Sequence, residues 1–252
     1  MKAMVLAAGL GTRLRPLTDD RPKALVEVAG RTLLEITLVR LRSFGIHEVI
    51  INVHHFAEMV LEYLKANDNF GMRIEISRED ILLDTGGGLK KAGWFFCEDS
   101  SYPDEPFILH NVDVISTIDL HRMVLVHSEN KALATLAVQD RETSRYLMFD
   151  EQLRLCGRRS GRDGELELVR SSPKMQALAF GGVHVISPHL IPKMVEEGIF
   201  SIIKSYLRLA GQGEKILGFR ADEYYWRDLG RLDDLQQAAR DFEQKVLSQY
   251  LT

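Results

Sequence analysis

The residues with the clearest chemical content lie between Gly9 and Lys23, directly after the apolar run Ala3-Met4-Val5-Leu6-Ala7-Ala8. They read Gly-Leu-Gly-Thr-Arg-Leu-Arg-Pro-Leu-Thr-Asp-Asp-Arg-Pro-Lys. A glycine loop after a strand leaves backbone N–H groups free to face phosphate oxygens, and Arg13, Arg15, Arg21 and Lys23 add charge that neutralises a polyanion. Pro16 and Pro22 stiffen a segment whose cations would otherwise repel it into disorder. The expected ligand is a nucleoside triphosphate. A tight turn with solubilising cations is the plainer alternative; the density of cations and prolines after the glycines argues against it. The pattern Gly-x-x-x-x-Gly-Lys-Ser/Thr is absent, and Leu14 stands where Gly-x-Gly-x-x-Gly needs its third glycine, which excludes a P-loop and a dinucleotide fingerprint.

Triphosphate chemistry calls for a divalent cation, and Mg2+ typically takes one or two carboxylates with phosphate oxygens and water. Asp113, in His110-Asn111-Val112-Asp113 at the end of the apolar run Phe107-Ile108-Leu109, is one candidate. Asp228, in Tyr224-Tyr225-Trp226-Arg227-Asp228-Leu229-Gly230, is the other. Turn formation and helix capping compete with these roles, although Asp233 and Asp234 are better placed for the first turn of the last helix. A second glycine segment, Asp84-Thr85-Gly86-Gly87-Gly88-Leu89-Lys90, opens a helix that Thr85 could cap with amides left free for a ligand. Adjacent His54 and His55 point different ways and read as satisfied or rim histidines rather than metal ligands. Cys97 and Cys156 have no ligand-like neighbours and read as reduced thiols.

Elements must hold these groups in place. Strand-like runs at Met4 to Ala8, Glu48 to Val53, Arg73 to Ile76, Phe107 to Leu109 and Leu133 to Val138 alternate with helix-period segments. Leu33, Leu34, Ile36, Leu38, Val39 and Leu41 form the buried stripe of a first helix, and Met59, Val60, Tyr63 and Leu64 that of a second. The alternation implies an α/β fold with a mostly parallel central sheet, covered on both faces, that binds ligands at the carboxyl ends of its strands. After Asp140 a hairpin (Tyr146 to Asp150, Leu153 to Cys156) precedes a mobile excursion from Arg158 to Ser172. Ala177 to Ile186 is a strand interrupted by Gly181-Gly182, where a ligand, a neighbouring backbone or a bulge comes close. A helix at Phe200 to Leu209, a strand at Ile216 to Phe219 and a helix from about Leu232 to Leu247 complete the chain, without internal repeats.

The 252 residues, 45% hydrophobic, suffice for one domain, whose texture changes near residue 140. A net charge of -4 excludes a broad basic face for nucleic acid or membrane surface. No apolar run reaches the roughly 20 residues that span a bilayer, and no signal-peptide pattern precedes the first strand, so a cytoplasmic location is expected. The protein is expected as a monomer or homodimer, with the Ile199 to Leu209 helix and the last helix as possible dimer faces.

Taken together, the Gly9 to Lys23 signature, Thr85-Gly86-Gly87-Gly88, Asn111-x-Asp113 and Trp226-x-Asp228-x-Gly230 resemble the sugar-1-phosphate nucleotidyltransferases through nearly the whole chain. The likeness is greatest to the short bacterial uridylyl- and guanylyltransferases, and the C-terminal β-helix of longer members is missing. The resemblance implies a Rossmann-like three-layer αβα fold in one domain, with a nucleotide-binding half to about residue 140 and a sugar-binding, C-terminal helical part beyond. It implies that Ala8, Gly9, Gly11 and Thr12 hold nucleotide, that Arg13 grips the leaving pyrophosphate, and that Lys23 contacts the phosphate undergoing substitution. By the same likeness Asp113 and Asp228 hold Mg2+, Thr85, Gly86 and Gly87 lie near the base, and Asn111 and Gly182 lie near the sugar. Val112 departs from the glycine usual between the Asn and Asp. The implied substrates are a nucleoside triphosphate, UTP or GTP, and a sugar 1-phosphate. A non-catalytic sugar-nucleotide sensor on the same fold is a rival reading. So is a glycosyltransferase, although Asn111-x-Asp113 supplies one carboxylate where an Asp-x-Asp motif needs two.

Overall fold

The computed structural model describes residues 1–97, 104–161 and 164–244. They divide into two compact units, each assembled from separated stretches of chain: 1–83, 109–117 and Tyr225 onward in the first, 84–108 and 118–224 in the second.

In the first unit the strands Lys2–Leu6, Glu48–Val53 and Arg73–Arg78 run parallel, with Leu6 opposite Asn52 and Asn52 opposite Ser77. Ala3, Met4 and Val5, like Val49, Ile50 and Ile51, are buried consecutively rather than alternately, as parallel strands covered on both faces require. The first strand ends two residues earlier than its apolar run, leaving Ala7 and Ala8 to begin the glycine loop. Helix Leu33–Ser43 starts at Thr32, whose side chain accepts the Glu35 N–H at 3.0 Å. Thr37 and Arg40 are buried on this helix, whereas Val39, expected in the stripe, is half-exposed. Helix Ala57–Ala66 buries Val60 and Leu64; Met59 is exposed, and Tyr63 is half-buried with its hydroxyl donating to Glu35. Two short strands complete the frame: Trp226–Asp228 pairs antiparallel with Val114–Ser116, placing Asp228 opposite Val114. Helix Leu232–Glu243 is tied to that strand by Asp241, which accepts from the Tyr225 hydroxyl at 2.5 Å and lies 3.3 Å from the Arg227 guanidinium. The four residues by which this helix was expected to continue, 244–247, fall mostly outside the described residues.

In the second unit Met175–Ile186 pairs antiparallel with both Ala134–Gln139 and Arg145–Asp150, and Ile216–Arg220 adds to Ala134–Gln139 in parallel. The expected hairpin is present as Arg145–Asp150 against Leu155–Ser160. Part of the Arg158 to Ser172 stretch, read as a mobile excursion, is instead a strand, Leu166–Leu168, paired with Leu155–Ser160 and fastened by Arg158–Glu167 at 2.6 Å. Charge and glycine content masked it because its side chains are all exposed. Gly182, at φ +73°, falls where the register slips between Phe180 and His184, so the glycine pair marks a bulge.

Helix Ile202–Gly211 buries Ile202, Tyr206, Leu207, Leu209 and Ala210 against its own unit, so the apolar face considered for dimerisation is core. Beneath it Glu196 accepts from Arg208 Nε at 2.8 Å and from the Ser205 hydroxyl at 2.8 Å. Donation by Arg208 outweighs burial and lowers the Glu196 carboxyl from its ordinary 4.5 to about 2. A depressed folded-state value gives stability that is complete above pH 4.5 and lost as pH falls toward 2. Thermal melts of the unmodified protein and of Glu196→Gln are therefore expected to differ at pH 7 and to converge as pH drops through that window. A gap that stays constant with pH would refute the ion pair's contribution.

Candidate phosphate and metal site

The signature loop leaves the sheet where the first ladder stops. Gly11 adopts φ +64°, Leu14 N–H donates to its carbonyl at 2.8 Å, and the Thr18 hydroxyl donates to the same oxygen at 2.9 Å. A Cβ on Gly11 would stand 2.8 Å from Thr18 Cγ2 and 3.1 Å from Lys23 Cβ, so glycine is needed both for the left-handed backbone and for the close approach of the returning chain. That approach carries Lys23 inward on a single 3-10 turn after Pro22, 8% exposed.

Lys23 Nζ is ion-paired with the Asp113 carboxylate. Asp113 follows the strand Phe107–Asn111 and precedes Val114–Ser116; its carbonyl accepts the Leu229 N–H at 2.7 Å, and the neighbouring Val112 N–H donates to Leu6 O at 3.1 Å. The Val114–Asp228 pairing thereby brings the second carboxylate to the first. Asp228 Oδ1 accepts the Gly230 N–H at 2.7 Å. Burial and then the charge of Asp113 raise the Asp228 carboxyl above its ordinary value, against the opposing pull of Lys23, the Gly230 amide and Arg13. Arg13 reaches the same spot: a Cβ on Gly230 would lie 2.5 Å from Arg13 Nη2 and 2.7 Å from Asp228 Oδ1. Gly230 thus leaves open the space that both the guanidinium and the carboxylate border.

Among the four cations of the signature, Arg13 and Lys23 converge on the carboxylates, whereas Arg15 and Arg21 pair at the surface with Asp19 at 3.3 Å and Asp20 at 3.0 Å. Ala8 is buried beside the exposed Gly9 and Thr12. Asn111, also in this unit, is half-buried, and its Oδ1 has no hydrogen-bond partner among the described residues. Thr85, Gly86, Gly87 and Gly182 belong to the second unit. There the Gly86 and Gly87 amides donate to Phe200 O, and Thr85 Oγ1 accepts the Ile202 N–H at 3.0 Å. The amides expected to be free are therefore occupied, and the Thr85 hydroxyl serves the start of helix Ile202–Gly211, whose own cap is Ser201, rather than its own helix. Gly86 is required because a Cβ would strike the Phe200 ring and lie 2.9 Å from Ile202 N.

No group of three or more His, Cys, Asp or Glu side chains that could hold a metal occurs among the described residues. Two carboxylates brought together beside Lys23 and Arg13 suit a hard cation whose other ligands are phosphate oxygens and water, the ordinary Mg2+ arrangement. His54 Nδ1–H donates to Glu79 O at 2.8 Å, and exposed His55 stacks on Phe56, so neither is placed as a ligand. Neither cysteine is in a disulfide among the described residues, and no helix among the described residues is long and apolar enough to cross a membrane.

Gly230 enters the Trp226-x-Asp228-x-Gly230 pattern without a role of its own, and Asn52, which bonds the Ala7 amide, has no place in the sequence reading. A polar residue inside the apolar Val49-Ile50-Ile51-Asn52-Val53 was the available signal for Asn52.

Comparison with known proteins agrees with this geometry. The family model described as nucleotidyl transferase matches residues 2–152. An N-acetylmuramate alpha-1-phosphate uridylyltransferase of Caulobacter vibrioides is 36% identical, covering 90% of this chain and 91% of its own length. A second protein of that name, from Neisseria meningitidis, is 29% identical over 94% and 96%. A mannose-1-phosphate guanyltransferase of Yarrowia lipolytica is 29% identical over 93% of this chain, which spans 62% of that longer protein. In fold, the chain resembles a UDP-glucose pyrophosphorylase solved with UDP-glucose, with TM-score 0.78, 15% identity and coverage of 97% and 98%. It also resembles an inositol-1-phosphate CTP transferase from T. maritima, with TM-score 0.71, 18% identity and coverage of 92% and 90%. The chain thus belongs to the nucleotidyl transferase family, among the sugar-1-phosphate nucleotidyltransferases.

Proposed function

We propose that this nucleotidyltransferase is a Mg2+-dependent uridylyltransferase that joins UTP to N-acetylmuramate 1-phosphate, releasing pyrophosphate. The convergence of Lys23, Arg13, Asp113 and Asp228 carries the metal and phosphate part of this reading. The choice of substrates draws on the two uridylyltransferases that match along nearly their whole length, whereas the mannose enzyme matches over 62% of its own. Guanylyl transfer to a hexose 1-phosphate is the second reading, favoured by that mannose relative.

In this scheme an anionic oxygen of the sugar 1-phosphate attacks the α-phosphorus in line with the departing pyrophosphate. The attacking oxygen carries its own charge, so no general base is required, and catalysis rests on positioning and charge neutralisation. Mg2+, held by Asp113 and Asp228, would supply charge neutralisation at the triphosphate. Lys23 exchanges its carboxylate partner for an oxygen of the phosphate under attack. Arg13 steadies the leaving pyrophosphate, while Ala8, Gly9, Gly11 and Thr12 receive the nucleotide along the loop. Thr85, Gly86 and Gly87 shape the base-side segment; Asn111 and Gly182 serve the sugar.

Pyrophosphate release measured for four nucleoside triphosphates against N-acetylmuramate, mannose, glucose and heptose 1-phosphates is the direct test. The UTP and N-acetylmuramate 1-phosphate pair is expected to give the highest kcat/KM. A maximum with GTP would replace this reading by the second, and no release with any pair would leave the sensor.

A further inference from the structure

A chain of buried hydrogen bonds at the carboxyl ends of the parallel strands has no part in the reaction scheme above. Asn52 stands opposite Leu6 in the last register of the first ladder. There the backbone turns away, and Asn52 Oδ1 accepts the Ala7 N–H at 2.7 Å. Asn52 Nδ2 donates to Glu79 Oε1 at 2.7 Å, and Glu79 Oε2 accepts the Leu83 N–H at 2.9 Å. The backbone of Glu79 is itself pinned, its N–H donating to Val53 O at 2.8 Å and its carbonyl accepting from His54 Nδ1 at 2.8 Å. Asn52 and Glu79 are 3% and 4% exposed, so water does not repair a broken link. Every bond has one direction: Ala7 donates to Asn52, and Asn52 and Leu83 both donate to Glu79.

We propose that Asn52 and Glu79 are positioning residues for the nucleoside triphosphate. The relay from Ala7 through Asn52 and Glu79 to Leu83 fixes the point where the Gly9 loop departs from the sheet. Loop amides held in advance meet the phosphates without reordering, and preorganised donors contribute more than donors that must be gathered on binding. The inference rests on the assignment of that loop to the triphosphate.

The one-way donation pattern supplies the test. Asn52→Asp keeps the acceptor for Ala7 but sets a carboxylate against Glu79. Glu79→Gln brings an amide donor against one of two existing donors. Each single substitution is expected to raise KM for the triphosphate about tenfold while leaving KM for the sugar 1-phosphate within about twofold. Combining them reverses the polarity of the central bond: the new amide at 79 donates to the new carboxylate at 52 and accepts from Leu83. The double variant is expected to recover the triphosphate KM to within about threefold of the unmodified protein. A double variant as impaired as the singles, or a rise in KM shared equally by both substrates, would overturn the proposal. Should Asn52→Asp fail to fold, Glu79→Gln against the double variant gives the same comparison. An unmodified protein that releases no pyrophosphate would be a separate failure, that of the functional reading itself.

Discussion

Asp113→Asn is expected to lower kcat for pyrophosphate release by about 10²–10³-fold while shifting the melting temperature little. Two opposing changes explain the small effect on folding. The substitution removes the carboxylate paired with Lys23, and it also removes the charge that, after burial, raises the Asp228 carboxyl. Activity has no such compensation, because the neutral amide is a poor ligand for a hard cation and holds Lys23 by a neutral hydrogen bond in place of an ion pair. Single-turnover kinetics over a Mg2+ titration, with thermal melts alongside, would measure both effects. Equal loss of activity and stability would mean that the pair holds the fold together rather than the substrate. Lys23→Ala is expected to give the same division between turnover and stability.

Gly230→Ala should be nearly as damaging, although it removes no functional group. The added methyl would stand 2.5 Å from Arg13 Nη2 and 2.7 Å from Asp228 Oδ1, both well inside van der Waals contact. Arg13 is exposed and can swing aside, whereas Asp228 is held by the Gly230 amide and by its strand. Both atoms must shift, the guanidinium more easily than the carboxylate, and a displacement of about 1 Å from the phosphates costs on the order of 10²-fold in kcat/KM. Arg13→Ala provides the control. If the two variants lose activity to the same extent and the double variant loses no more, the methyl acts through Arg13. Full additivity would exclude that route.

These effects follow from groups whose presence is written in the sequence and whose meeting is not. The glycine loop, its cations and the two carboxylates are legible because each sits at a recognisable place: the end of an apolar run, or a break before a helix. The parallel strands Lys2–Leu6 and Glu48–Val53 are legible for the same reason, since doubly covered strands read as unbroken apolar runs, whereas Arg73–Arg78 shows as the alternation of Ile74 and Ile76 with polar residues. Strands of three residues carry too little periodicity to be seen, and Trp226–Asp228 and Val114–Ser116 are of that kind. Leu166–Leu168 escaped notice because an exposed edge strand buries no face. Thr85 sits where it could cap the helix it opens, but its hydroxyl accepts from Ile202, 117 residues away, and local spacing cannot register such a partner.

The sequence by itself determined the chemical inventory and its order along the chain: a phosphate-binding bend, two separated acids, and apolar runs that build an α/β core. Tertiary structure decided which charges act together. It left Arg15 and Arg21 in local pairs with Asp19 and Asp20, four and one residues away, and it brought Lys23 to an acid 90 residues distant. The physical reason is the reach of the forces. Apolar burial and backbone propensity leave a periodic record within one segment, whereas hydrogen bonds and ion pairs depend on separations of a few ångströms that exist only once the strands carrying them are paired.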